Sequence, residues 1–366
     1  MNPQISNISE EAGLLRFTLS GVNVSLANAL RRIILNDIDT VVFRTETYND
    51  NKCTILVNTS RQHNEMVKQR LSCIPIYSTN LEELPGNYVL EIDVTNNTDH
   101  IIYVTTEDFK IKNKTSGEYM GKADRERLFP MNQLTRHYID LVRLRPKIGA
   151  IPGEQLKLTC EFSLASASTN GMFNVVSKCA YGNTLDPEKA KDAWTQLENK
   201  MKSDGATNVE IEYAHKNFYL LDAQRYFVED SFDFTVGTVG VFSNNNIVKK
   251  ACAKMQTKLL DFMSLVETHA VPIEVSATTM ENSYDIILEN EDYTLGKAIE
   301  FYLYDQLYVN TKKLNFCGFK KIHPHDSSSR IRVAYVQNVS MNDIETDLVN
   351  ACKELQEVYV AIYKMF

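Results

Sequence analysis

Two stretches of this chain carry one pattern, 269 residues apart. Near the N-terminus Leu14–Leu19 alternates as a strand, Gly21 and Asn23 make a turn, and SLANALRRIIL (25–35) continues as a helix. The second stretch, IILENEDYTLGKAIEFYLY (286–304), reads strand, turn, cap and helix again. In the first helix Leu26, Ala29, Leu30, Ile33 and Ile34 fall at i, i+3, i+4, i+7 and i+8, an apolar stripe on one face. Leu295, Ala298, Ile299, Tyr302 and Leu303 take the same five places in the second. Leu19 and Leu288, in the preceding strands, keep the same 269-residue separation. Ser25 and Thr294 read as the N-caps. Small residues also match, Ala27 with Gly296 and Ala29 with Ala298, which leaves room for two helices to approach closely.

Each copy ends in a longer amphipathic helix. In the first, SFDFTVGTVGVF (231–242) reads as a strand region, and Val248, Cys252, Met255, Leu259 and Phe262 then recur at helical spacing over 247–266. In the second, Ser340 and Asp343 form a capping box, followed by Ile344, Leu348, Ala351, Leu355, Val358 and Ile362. A strand–helix unit with one wide apolar stripe cannot bury both of its helices alone. Two such units in one chain satisfy each other as a pseudo-twofold pair. The expectation is therefore an α+β fold with an intramolecular pseudo-dimer and no homodimer. The five stripe residues of each short helix, with Leu348 and Leu355, form the expected interface. The first pairing domain spans 1–48 and 168–268, interrupted by a β-rich insertion over 49–167, and Lys200–Gly205 reads as a loop within it. A polar linker over 269–283 leads to the second pairing domain, 284–366.

The net charge of −8 disfavours a chain whose main task is gripping nucleic acid, which calls for a basic surplus. Seven scattered cysteines, with no CxxC, read as reduced and mostly buried thiols. MNPQISNISEEAG has no basic and apolar leader, and no run approaches the ~18 apolar residues of a membrane span, so the chain reads as soluble and intracellular. A Walker loop, GxGxxG, HExxH and GxSxG are all missing. Asp37 and Asp39 read as turn residues, and His323 and His325 as a turn pinned by Pro324. AYGN (180–183) implies close backbone approach without chemistry. No catalytic residue, cofactor or metal ligand is expected.

The arginines break the repeat, because Arg31 and Arg32 are replaced by Glu300 and Phe301 in the second copy. Shared packing does not need them, so they are expected to face outward. There they are either a solvated face or an anchor for an acidic partner surface, a task that suits the bidentate guanidinium.

SLANALRRIIL, with QRLSCIPI (69–76) and PGEQLKLTCEF (152–162), resembles the alpha-like subunits of multisubunit DNA-dependent RNA polymerases, namely the third eukaryotic subunit and its archaeal counterpart. NEDYTLGKAIEFYL (290–303), with NFCGFKKIHPH (315–325) and RIRVAYV (330–336), is similar to the small partner, the eleventh eukaryotic subunit or its archaeal counterpart. Both lie here in one polypeptide, an arrangement resembling the polymerases of large cytoplasmic DNA viruses. The resemblance implies two alpha-like dimerisation units that pair first and then recruit the two large catalytic subunits and further polymerase subunits. It implies that Arg31 and Arg32, with Asn28 and Arg70, contact a large subunit. Mg²⁺ and nucleotide chemistry would then belong to the large subunits. Nucleic acid would be met only through the complex, in the cytoplasm at a viral replication site or in a virion. Some relatives carry a zinc loop or an iron–sulfur cluster in the insertion, but STNLEELPGNYVLEIDV (78–94) contains no cysteine. The alternative is a stand-alone DNA-binding or regulatory scaffold factor. An enzyme in its own right would need a cluster of acidic or nucleophilic groups that the sequence does not assemble.

Overall fold

The structure, a computed structural model, describes residues 1–366. In chain order it opens with β1 (Gln4–Glu11), β2 (Leu14–Ser20), α1 (Val24–Asn36), β3 (Thr40–Val42), β4 (Cys53–Asn58) and α2 (Asn64–Ser72). There follow β5 (Tyr88–Thr95), β6 (Ile102–Thr105), β7 (Lys110–Asn113), α3 (Lys122–Leu128), β8 (Asp140–Leu144), β9 (Gln155–Glu161) and β10 (Ser163–Ala165). Then come β11 (Val176–Leu185), α4 (Pro187–Ser203), α5 (Asn208–Leu220), β12 (Phe227–Thr238) and α6 (Asn244–Glu267). The last segment holds β13 (Ile273–Val275), β14 (Ser283–Leu288), α7 (Tyr293–Leu303), β15 (Leu314–Lys320), β16 (Ser329–Tyr335) and α8 (Met341–Met365).

The chain forms two compact units. The first comprises residues 1–33, 178–237 and 248–366. It holds two antiparallel sheets built alike, in orders β1-β2-β12-β11 and β13-β14-β16-β15. In both, the strand before the short helix (β2, β14) lies beside the strand before the long helix (β12, β16). Gly21 makes the turn into α1 at φ +73°, and a β-carbon there would run into the Asn2 carbonyl. Gly21→Ala therefore meets both a left-handed backbone and a backbone clash. It should cost about 1–3 kcal/mol, read as a lower denaturation midpoint at unchanged slope; an unchanged midpoint would show that the N-terminal strand moves aside freely.

The second unit comprises residues 34–177 and 238–247. It contains the sheet β4-β9-β5-β7 and the strand pairs β3–β10 and β6–β8. Phe43, Phe109, Phe129 and Phe162 centre its core, with ring centroids 5.0–6.5 Å apart. Its borders differ from the 49–167 span expected for the insertion. Strand pairing is the reason: β3 is fastened to β10, and Val41 and Phe43 belong to the same core as Leu90 and Leu158.

Other elements also differ from the sequence reading. Lys200–Ser203 is not loop but the last turn of α4, where Lys200 and Lys202 sit favourably at the negative end of the helix. Gly205, at φ +83°, follows the helix end. The expected polar linker contains β13, which pairs with β14 from Ile273 opposite Ile286 to Val275 opposite Tyr284. Gly296 makes room not for a second helix but for the Phe319 ring of β15, which a β-carbon there would meet.

Candidate dimerisation interface

The two short helices begin in the same way. The Asn23 side-chain oxygen accepts from the Ser25 amide at 2.8 Å, and the Asp292 carboxylate accepts from the Thr294 amide at 2.9 Å. Asn23 and Asp292 are themselves 269 residues apart, so the repeat includes its caps. Ser25 and Thr294 are thus not the caps. Each lies inside the first turn and donates the amide that the preceding Asx side chain satisfies.

The stripes are buried as expected: Leu26, Ala29, Leu30, Ile33 and Ile34 in α1, and Leu295, Ala298, Ile299 and Leu303 in α7. Tyr302 is only partly buried and lines an acidic cleft with Asp305 and Glu354. Leu348 and Leu355 of α8 are fully buried. Each such leucine contributes about 1.5–3 kcal/mol on leaving water.

Within the first unit, residues far apart in sequence meet at these helices. Tyr359 of α8, wholly buried, donates its hydroxyl to the Leu26 carbonyl of α1 at 3.1 Å. Burial pushes that phenol well above its ordinary range. The Phe17 ring of β2 meets Phe366 edge-on, centroids 4.9 Å apart. Lys258 of α6 donates to both Glu291 oxygens, at 2.9 and 3.2 Å.

Arg32 does not face outward to solvent, and this corrects the sequence expectation. Its Nε donates to the Thr294 hydroxyl at 2.8 Å, and its terminal nitrogen pairs with the Asp292 carboxylate. The Arg32 side chain is 25% exposed and that of Asp292 39%. Burial works to raise the Asp292 pKa, but the Thr294 amide and the Arg32 cation outweigh it and hold the carboxylate below its ordinary value. The replacement of Arg32 by Phe301 in the second copy hides this contact, since a bond made by only one of two repeats leaves no matching signal in the sequence.

The other cations divide. Arg31 forks onto the Asn28 side-chain oxygen at 2.9 and 3.1 Å and lies close enough to Cys179 and Tyr181 to act on their ionisation. Arg70, in the second unit, donates to the Leu141 and Asp140 carbonyls, each at 2.7 Å, and so ties α2 to β8.

Beyond the helices, Asp285 of β14 is 3% exposed and collects Arg332 through two bonds (2.6 and 2.7 Å), Arg330 at 3.1 Å and the Ser276 hydroxyl at 2.5 Å. The Arg332 hydrogen bonds hold its pKa at about 2.

Burial pushes Cys179, Cys252, Cys317 and Cys352 up to about 12, which keeps them as thiols. His323 and His325 lie side by side with ring centroids 5.2 Å apart, and no third ligand joins them. No helix is long and apolar enough to cross a membrane.

Repeated strand–helix elements, buried helix stripes and bonds between distant segments define an α+β association module. Residues 16–259 match the family described as the RNA polymerase Rpb3/Rpb11 dimerisation domain, and the chain belongs to that family. It is 23% identical over 293 residues to a conjugation stage-specific protein of Tetrahymena thermophila, covering 68% of this chain and 89% of that protein. A shorter segment of 81 residues is 36% identical to DNA-directed RNA polymerase II subunit RPB3 of Schizosaccharomyces pombe, 22% of this chain and 24% of that subunit. Another, of 75 residues, is 37% identical to the rpac1 subunit of DNA-directed RNA polymerases I and III of Dictyostelium discoideum, 20% of each chain.

Proposed function

We propose that this chain is a non-catalytic subunit of a DNA-directed RNA polymerase. Its two alpha-like halves pair with each other inside one polypeptide, and the pair is the platform on which the two large catalytic subunits assemble. The buried Tyr359–Leu26 bond carries this reading most directly, because it joins the long helix of one half to the short helix of the other. Family membership supports the polymerase-subunit part of this reading, and the matching caps of the two short helices support the pairing of the halves. The fused arrangement, and with it a place in the transcription apparatus of a large DNA virus, belongs to the proposal as well.

Within it, Arg31 and Asn28 are the residues offered to a large subunit. Arg32 and Arg70 already bond to acceptors of their own chain, so their first role is to hold the platform together. Arg31→Ala should leave the melting temperature of the free chain within about 2 °C of wild type, since its acceptor is a neighbouring side chain. Capture of the large subunits by the tagged chain should fall roughly thirtyfold or more, the effect of losing a desolvated charged contact of about 2–5 kcal/mol. Two large chains co-purifying with the tagged wild-type protein, together with RNA-synthesising activity, is the expected result. A tagged chain that emerges alone, or bound directly to DNA, would favour the regulatory-scaffold alternative.

A further inference from the structure

We infer that Lys258 and Glu291, flanked by Arg32 and Asp292, form a charge key that makes the first half accept the second half and reject a copy of itself. The inference rests on the intramolecular pairing proposed above. The stripes of the two long helices correspond at a constant separation of 96 residues, as in Val248 with Ile344, Leu259 with Leu355 and Val266 with Ile362, all buried. The contacts fall at neighbouring places, since Phe262 corresponds to Val358, the residue before Tyr359. Phe262 near the end of α6 lines one cleft with Leu295 at the start of α7, just as Tyr359 near the end of α8 reaches Leu26 at the start of α1.

The two correspondences identify what stands opposite what. Lys258 maps to Glu354, Glu291 to Val22, Arg32 to Phe301 and Asp292 to Asn23. Both ion pairs are therefore made on one side of the pseudo-twofold only. The mirrored side replaces them with apolar or neutral groups and one opposite charge.

Pairing of like with like would undo the match. Two first halves would set Lys258 against Val22 and Arg32 against Asn23, leaving two partly buried cations without carboxylates. Two second halves would set Glu354 against Glu291 and Phe301 against Asp292. Apolar stripes do not choose between partners of similar shape, whereas unpaired and like charges at a desolvated rim do. The key does not oppose reciprocal exchange of halves between two chains, which keeps both pairs. The linker restrains that exchange through effective concentration.

The test uses the full chain and leaves Asp292 intact because it caps α7. Glu291→Lys sets a second cation against Lys258 within the chain, and that new cation is complementary to Glu354 of a second copy. The substitution should lower the melting temperature by about 3–8 °C and move the mass seen by light scattering from one chain toward two. Adding Lys258→Glu to the same chain should restore most of the melting temperature and the single-chain mass. The inference also survives if Glu291→Lys alone fails to fold, provided the double reversal folds as a single chain. A double reversal no more stable and no more monomeric than Glu291→Lys would overturn it, as would a single variant indistinguishable from wild type. Either failure leaves the pairing itself standing if the wild-type chain remains a single-chain species by light scattering.

Discussion

Leu30→Asp should abolish the cooperative unfolding transition of the isolated chain or lower its stability by several kcal/mol. Leu30 has no exposed surface and sits in the middle of the α1 stripe. An aspartate there either buries a carboxylate with no partner or takes up a proton, and both options are unfavourable by several kcal/mol. Domain stabilities of roughly 5–15 kcal/mol leave little margin for that. Ile299→Asp, at the matching place in α7, should have an effect of similar size, because the same stripe position is equally buried. Arg31→Ala on the same helix as Leu30 is the control. A soluble Leu30→Asp chain that melts like wild type would remove the stripe from the core.

Asp285→Ala should be the other severe substitution, at about 3–5 kcal/mol. The loss is not that of one surface ion pair. Removing a carboxylate that is 3% exposed strands Arg332, Arg330 and the Ser276 hydroxyl together. The same residue sets an acid response. Its folded pKa of about 2 lies below the ordinary carboxylate value near 3.8, so the stabilisation is complete above about pH 4 and is lost as pH falls toward 2. The lost contribution is roughly 2–3 kcal/mol. Denaturant midpoints measured from pH 5 down to 2 should fall more steeply for wild type than for Asp285→Asn, which has no such proton to take up. Parallel slopes for the two proteins would assign the acid response elsewhere.

The helical stripes and the Ser340–Asp343 capping box are legible in the sequence because each is local, set by spacing within a few turns of chain. The caps of α1 and α7 lie two residues before the places the sequence suggests. Asn23 and Ser25 are both good cap formers, and only the geometry of the turn decides which side chain reaches back to the amide. The last turn of α4 resembles a loop in sequence because its lysines and nearby Gly205 also fit one; at a helix C-terminus they are the favoured residues. Strand β13 is three residues long and half exposed, too short to show a period. The Arg32–Asp292 and Lys258–Glu291 pairs are out of reach for a different reason. Each joins segments far apart in sequence, and each is made once, so the repeat that discloses the stripes conceals the bonds between them.

The central claim is that one chain supplies both halves of the platform. Native mass spectrometry of the intact polymerase purified through a tag on this chain tests it most directly. The expected result is a single 41.8 kDa copy of this chain for each pair of large subunits, with no separate small alpha-like partner. Two copies per complex, or one copy accompanied by a second alpha-like chain, would contradict it.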